Sequence, residues 1–148
     1  MVCGGFSFSG HGPLWFMPPN TTINSKVYLR ILQDKLKLHM RQRNCSVFQH
    51  DGAPCHKAKI VSSWLKQNKI SVLDWPGSSP DLNPIENIWT YVKKKVNLRR
   101  PSNLYEMKHA IMSVWCLDIT PDYCSKLVSS MPKRIKLVLK NKGRSIKY

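Results

Sequence analysis

Residues 74–89 read DWPGSSPDLNPIENIW, and this stretch decides how the rest of the chain is interpreted. Its three prolines break regular structure, and the apolar spacing that follows is typical of a helix. Asn83 is a favourable N-cap, Pro84 suits the first helical position, and Glu86 then stands third, as in a capping box. The residues around Glu86 therefore predict a capping role for it. A second role depends on residues elsewhere in the chain.

The sequence around this loop predicts short strands alternating with helices. A β-hairpin is expected over residues 2–17, with further strands at 46–49 and 70–74. Apolar positions at helical spacing predict helices over 25–41, 56–67, 84–96 and 102–115, with two more opening at 121 and 132. The order ββαβαβα followed by helices predicts an α/β domain over residues 1–100 and a helical basic extension of it over 101–148.

The charge of the chain is strongly positive and unevenly distributed. The net charge is +16 over 148 residues, and residues 93–148 hold 14 Lys and Arg against three acids. This pattern favours a polyanionic partner, DNA first, whereas an ordinary solvated face would balance its signs better. The expected phosphate contacts are Lys93, Lys94, Lys95, Arg99, Arg100, Lys133, Arg134, Lys136, Lys140, Lys142 and Arg144.

The five cysteines are odd in number, scattered and without a CxxC pair, which favours reduced thiols in an intracellular protein. His50, Asp51, Cys55 and His56 lie close together in sequence, but their spacing matches no usual zinc pattern. No apolar run reaches membrane-spanning length, and the first ten residues do not resemble a signal peptide, so no membrane partner is expected.

The predicted topology places two carboxylates, Asp51 and Glu86, near each other. Asp51 follows one predicted strand, and Glu86 opens the helix that follows the next strand. Right-handed crossovers make those strands parallel neighbours, so both acids are expected at the same sheet edge. Such a pair suits a hard divalent cation, although a turn role for Asp51 and a capping role for Glu86 explain the same residues.

The blocks VFQHDGAPCHKA and LDWPGSSPDLNPIENIW resemble the catalytic domain of Tc/mariner-superfamily DNA transposases. GHGPLWFM and the closing SMPKRI, NKG and KY also resemble family blocks, in family order, so the resemblance covers essentially the whole chain. The 34 residues between Asp51 and Glu86 are the spacing of one branch of the family.

This resemblance implies an RNase H-like fold with a mixed sheet, in which Asp51 and Glu86 are the second and third catalytic acids and metal ligands of a DDE triad. It implies two Mg²⁺ or Mn²⁺ ions that activate water for DNA strand cleavage and a 3′-hydroxyl for joining to target DNA. The implied partners are transposon ends and target DNA in the nucleus, with a homodimer expected of the intact protein.

The resemblance also leaves parts unmatched. The hairpin corresponds to the second and third strands of the fold, so the chain is expected to lack the first, central strand with its catalytic Asp. The N-terminal helix-turn-helix region is unmatched, and Cys3 stands where the family usually has Trp. Weak metal binding and no cleavage by this chain alone are therefore expected. The alternative function is a non-enzymatic nucleic-acid-binding remnant of a transposase.

A missing central strand also bears on folding. Unpaired backbone groups along the hairpin and along the strand that ends at Asp51 would each cost about 1–3 kcal/mol when shielded from water. We therefore expect marginal stability, a tendency to aggregate through these edges, and no regular ladder between the hairpin and the strand ending at Asp51.

Overall fold

The computed structural model describes residues 1–75 and 79–146. The chain divides into two compact units. The first comprises Met1–Cys3 and Trp15–Ser79, and the second comprises Gly4–Leu14 and Pro80–Tyr148. The division expected at residue 100, between a catalytic core and its helical extension, stays a prediction.

The order of elements is β-hairpin, helix, strand, helix, strand, then four helices. The strands are β1 (Val2–Ser7), β2 (Gly10–Phe16), β3 (Val47–Phe48) and β4 (Ser71–Val72). The α-helices are α1 (Ser25–Ile31), α2 (Lys37–Gln42), α3 (Lys59–Gln67), α4 (Ile85–Leu98), α5 (Leu104–Leu117), α6 (Pro121–Ser129) and α7 (Met131–Lys140). A π-helical turn, Leu32–Leu36, joins α1 to α2, and a 3-10 turn, Pro80–Leu82, precedes α4.

The first unit is built around one face of α1 and α3. Tyr28 and Leu32 from the first helical segment pack with Val61 and Leu65 of α3, and all four are buried. Asn24 caps α1 by accepting a hydrogen bond from the Val27 N–H at 3.0 Å, as its sequence position predicts. Phe48 of β3 packs against the same cluster, so this core fixes the strand that leads to Asp51.

The second unit is a helical cluster around α4 and α5. Ile88, Val92 and Val96 recur at helical spacing on α4 and are buried against α5 and α6. Trp115 of α5 is 1% exposed, and its indole N–H donates to the Gly12 carbonyl at 2.8 Å. The tip of the hairpin is therefore held within this unit by a buried tryptophan.

The described strands form two separate sheets of two strands each. In the second sheet β3 pairs with β4 in parallel, Val47 opposite Ser71 and Phe48 opposite Val72. Within residues 1–75 and 79–146 no ladder joins the hairpin to β3, so the expected interruption in strand pairing is confirmed. In that same part of the chain, no helix combines the length and apolar composition that a membrane crossing needs.

Two predicted helix starts are wrong. The helix expected from His56 begins at Lys59, because the N–H groups of His56 and Lys57 both donate to the Ala53 carbonyl and form a separate turn. Asn83 does not cap α4 through its side chain: Pro84 takes the N-cap position, and Glu86 donates its N–H to the Asn83 carbonyl at 3.1 Å. The predicted capping box is therefore absent at this helix.

The close approach of β1 to Trp115 generates a stability prediction for Gly4. A Cβ atom added there would lie 2.8 Å from Trp115 Cη2 and 2.9 Å from Leu14 Cδ2, closer than carbon atoms pack. Since the buried indole cannot move aside, we expect Gly4→Ala to lower the free energy of unfolding by about 1–3 kcal/mol in thermal or denaturant melts.

Gly5 is the matched control, because a Cβ atom there meets nothing within 4 Å. Gly5→Ala should be neutral or stabilising by up to about 1 kcal/mol, since Ala restricts the unfolded chain more than Gly does. Equal melting temperatures for the two variants would contradict the packing of β1 against Trp115.

Candidate catalytic and nucleic-acid-binding site

Asp51 lies in the first unit, three residues after β3. Its Oδ1 accepts the Ala53 N–H at 3.0 Å, which makes the local Asx-type turn expected of an Asp before Gly. The same Oδ1 lies 2.6 Å from His56 Nδ1. No described residue donates a hydrogen bond to Oδ2, and the side chain is 53% exposed, so one carboxylate oxygen is oriented and the other is available.

The His56 ring that faces Asp51 is itself held by aromatic neighbours. It packs against buried Tyr28 with ring centroids 3.9 Å apart and the ring planes tilted by 31°, and it stacks on His50 with centroids 5.3 Å apart. The Tyr28 hydroxyl makes a 3.2 Å hydrogen bond with His50 Nδ1. Burial, followed by the nearby His56 charge, lowers the pKa of His50. Sequence analysis assigned Tyr28 no part in this site, and the only sequence signal for such a cluster was the pair of histidines near Asp51, His50 and His56.

Glu86 lies in the second unit, in the first turn of α4. The side chain is exposed, and its carboxylate accepts no hydrogen bond from the described residues. The Glu86 carbonyl accepts the Thr90 hydroxyl at 2.8 Å, an ordinary contact within the helix. The side chain is therefore free to bind a ligand, and its position depends on the loop that starts the helix.

That loop is fixed from within the second unit by Arg134 of α7. Arg134 is 1% exposed, and its Nη1 donates to the Asp81 carbonyl at 3.0 Å and to Asn87 Oδ1 at 2.8 Å. Arg134 had been predicted to contact phosphate, and that prediction is wrong, because the guanidinium is enclosed by backbone and amide acceptors. Its neighbours at 133 and 136 are exposed, so composition alone could not separate it from them.

The Asp81 carboxylate holds the far side of the same loop. Its Oδ2 accepts the Ile146 N–H at 2.9 Å and the Ser145 hydroxyl at 2.8 Å. The hydrogen bond from Ile146 has the largest effect in lowering the pKa of Asp81, and the bond from Ser145 has the next largest. The nearby Arg134 charge lowers this pKa further. Asp81 therefore shapes the loop, with Oδ2 engaged by residues 145 and 146.

The remaining predicted phosphate contacts lie on the surface of the second unit. Lys133, Lys136 and Lys140 share one face of α7, since they are three and four residues apart, and all are exposed. Lys95 is half-buried, 3.8 Å from Asp118 and over the Tyr91 ring, so its charge is partly engaged. The others that the structure leaves exposed are Lys93, Lys94, Arg99, Arg100, Lys142 and Arg144.

The carboxylate oxygens of Asp51 and Glu86 are of the kind that a hard divalent cation binds, but they are too few to complete its coordination. Asp51 Oδ2 and both oxygens of Glu86 are carboxylate oxygens without a protein partner in the described part of the chain, the donors that Mg²⁺ and Mn²⁺ prefer. Across residues 1–75 and 79–146, no group of three or more His, Cys, Asp or Glu is placed to hold a metal. Zinc at His50, Cys55 and His56 therefore has no support among these residues. Asp51 and Glu86 belong to different units, and their predicted juxtaposition stays a prediction.

Comparison with known families identifies the class of protein. The family model described as DDE superfamily endonuclease matches residues 5–108, which include both Asp51 and Glu86. The match extends over more than half of the chain. The chain therefore belongs to the DDE superfamily endonucleases.

Individual relatives narrow this class to Tc/mariner transposase catalytic domains. The chain is 36% identical over 150 residues to the Tc1 transposase of Caenorhabditis elegans, and 33% identical over 150 residues to the Tcb2 transposase of Caenorhabditis briggsae. Each alignment covers 100% of this chain and 54% of the relative. The chain thus spans about half the length of the curated relatives it matches.

Solved structures establish the fold. The Mos1 transposase catalytic domain, solved with raltegravir and Mg, gives a TM-score of 0.88 at 19% identity, covering 99% of this chain and 76% of that one. A Mos1 mariner paired-end complex with Mn also gives 0.88, at 20% identity, covering 99% and 44%. The predicted RNase H-like fold is therefore confirmed.

The hydrogen bonds to Asp81 predict a pH dependence of stability. Because the pKa of Asp81 is lower in the folded than in the unfolded chain, the ionised carboxylate stabilises the fold above about pH 4, its unfolded pKa, and this contribution is lost as pH falls through the lower folded pKa. We expect Asp81→Asn to be less stable than the unaltered chain at pH 6, with the gap shrinking below about pH 4 in denaturant titrations.

Asp34→Asn serves as the control for this titration. The Asp34 side chain is exposed and accepts no hydrogen bond from the described residues, so its replacement should change stability at pH 6 by less than about 0.5 kcal/mol. A gap between Asp81→Asn and the unaltered chain that stays constant from pH 6 to pH 2 would contradict a role for the ionised carboxylate.

Proposed function

We propose that this chain forms part of the catalytic domain of a cut-and-paste DNA transposase, with Asp51 and Glu86 as two of its catalytic acids. The observation that carries the proposal is the position of both acids inside the matched residues 5–108, each with carboxylate oxygens left open. Asp51 is oriented by Ala53 and His56, and Glu86 by the start of α4.

DNA is the proposed partner. The exposed lysines of α7 and the basic end of α4 provide positive charge for phosphates. Transposon ends and target DNA are the proposed substrates, and the nucleus is the proposed compartment. The Mos1 structures include paired-end complexes, and on that analogy we propose a homodimer for the whole protein.

Asp51 and Glu86 would hold Mg²⁺ or Mn²⁺, which supplies charge neutralisation and an acidified water at the scissile phosphate. The chain's own contribution is to fix the two carboxylates and to hold DNA against them. Asp51 Oδ1 is restrained by the Ala53 N–H and the His56 ring, which leaves Oδ2 for the ion. Two carboxylates provide too few oxygens for two ions, so we expect weak binding and no nicking by these 148 residues alone.

A second candidate function is DNA binding without catalysis. It is favoured by the lack of any three-residue metal cluster among residues 1–75 and 79–146. Metal-dependent nicking of supercoiled plasmid that is lost in Asp51→Ala would exclude it. It would also overturn our expectation that the chain alone does not cleave DNA.

The basic surface predicts salt-dependent, sequence-tolerant binding. Contacts with about five phosphates imply a slope of roughly −4 to −5 for log affinity against log salt on duplex DNA. Replacing four exposed lysines by glutamine should reduce the size of the slope by roughly 2, because four of the predicted residues account for about two of the five contacts and each lost contact releases about one counterion fewer. The measurement is fluorescence anisotropy from 50 to 300 mM salt, and the four positions are Lys93, Lys94, Lys133 and Lys136.

A matched control removes the same charge from exposed lysines outside the predicted set, at Lys26, Lys66, Lys69 and Lys126. Its slope should change by less than about one, since these residues are not expected to contact phosphate. Similar losses in both variants would show that net charge, and not this surface, determines binding.

The open carboxylates predict weak Mn²⁺ binding. We expect dissociation constants of roughly millimolar size by electron paramagnetic resonance, with severalfold weaker binding in Asp51→Asn and in Glu86→Gln. Asp122→Asn is the control, because Asp122 already pairs with Lys126 at 2.7 Å. Affinity that is insensitive to both Asp51→Asn and Glu86→Gln would count against a metal role for these acids.

A further inference from the structure

A single guanidinium holds the chain on both sides of Glu86. Arg134 Nη1 donates to the Asp81 carbonyl, five residues before Glu86, and to Asn87 Oδ1, one residue after it. Its Nε donates to the Ser130 hydroxyl at 2.9 Å, which anchors the same side chain to the start of α7. Arg134 is 1% exposed, so water does not compete for these bonds.

Glu86 has few other restraints. Its carboxylate accepts no hydrogen bond from the described residues, so its direction follows from the backbone of the first turn of α4. That turn is held by the Glu86 N–H bonded to the Asn83 carbonyl at 3.1 Å and the Asn87 N–H bonded to the Pro84 carbonyl at 3.2 Å. Pro84 N-caps the helix without a side-chain hydrogen bond, so no capping side chain fixes this turn.

The network continues through Asp81 to residues 145–146. The Asp81 carbonyl binds Arg134, while its carboxylate accepts the Ser145 hydroxyl and the N–H of buried Ile146. Asp81, in the loop before Glu86, is thus hydrogen-bonded to Arg134 of α7 through its carbonyl and to residues 145 and 146 through its carboxylate.

We propose that Arg134 is a positioning residue for Glu86, with Asp81 as its support, a role that rests on the proposed function of Glu86 as a metal ligand. The guanidinium bonds to residues before and after Glu86 and so fixes where the Glu86 carboxylate points. These bonds, from Arg134 to the Asp81 carbonyl, to Asn87 and to Ser130, form a clamp on the turn that carries Glu86. A planar fork is required for this, since one nitrogen serves two acceptors while another reaches Ser130, and the ammonium of lysine cannot reproduce that geometry. An apolar side chain at position 134 could fill the same space, but it would make no hydrogen bonds and would leave the turn that carries Glu86 unrestrained.

Amide hydrogen exchange on the full chain tests the clamp without any metal. In Arg134→Lys we expect the Glu86 and Asn87 amides to exchange at least tenfold faster than the loss of global stability accounts for. Ile119→Val is the matched control, because it loosens the fully buried core of the same unit without touching the loop. Exchange at Glu86 and Asn87 that merely follows global stability in Arg134→Lys, as in Ile119→Val, would overturn the proposal.

Mn²⁺ titration of the same proteins supplies the second readout. Arg134→Lys should weaken Mn²⁺ binding severalfold, and Ile119→Val should leave it unchanged. Unaltered affinity in Arg134→Lys, in the presence of an effect of Glu86→Gln, would overturn the positioning role. If Glu86→Gln itself has no effect, the proposed metal role fails instead, and hydrogen exchange alone decides whether Arg134 fixes this turn.

Should Arg134→Lys fail to fold, Asn87→Ala keeps the clamp testable. This variant removes only the acceptor that follows Glu86 and leaves Arg134 bonded to the Asp81 carbonyl and to Ser130. Faster exchange at Glu86 would support the clamp. Exchange equal to that of the unaltered chain would overturn it.

Discussion

The burial of Trp115 is the constraint on which the second unit depends. Its indole N–H donates to the Gly12 carbonyl, and its ring stacks on Trp89 with centroids 5.2 Å apart. Trp89 lies on α4 one turn after Glu86, so the tryptophan pair sets the rotation of the helix that carries the acid. Burying so large a ring with its one donor satisfied provides much of the packing energy here, and removing it would cost about 3–5 kcal/mol. The hairpin tip, α4 and α5 are held to one another through this side chain.

Much of this arrangement could be predicted from the sequence, because several elements are specified by nearby residues. Alternation around a glycine turn gave the hairpin, and apolar spacing gave every helix of the second unit. Asn24, Asn103 and Thr120 do cap their helices, since a short polar side chain before an apolar run has a local reason to do so. Asp51 was placed after one strand and Glu86 at the start of the helix that follows the next; the family match includes both, and their catalytic roles stay predictions.

The features that sequence could not give are those set by distant partners. Arg134 sits between exposed lysines and has the same composition signal, yet its partners lie 47 and 53 residues away. Asn83 looked like a cap, but the loop is ordered by Arg134 and Asp81, which leaves the Asn83 side chain no such task. The strands β3 and β4 are two residues each, shorter than expected, because only Val47, Phe48, Ser71 and Val72 find pairing partners among the described residues. Tertiary packing decided each of these cases.

The clamp on the loop before α4 has a consequence for how the protein is made. Asp81 leaves the ribosome 64 residues before Ser145, its partner in the folded chain. At roughly 5–20 residues per second, the loop waits about 3 to 13 seconds before residues 145–146 can hold it. During that interval α4 and α5 can already pack through their own apolar faces, whereas the turn that carries Glu86 has only its local backbone hydrogen bonds. The acid-bearing turn is therefore among the last parts of the nascent chain to acquire all of its restraints.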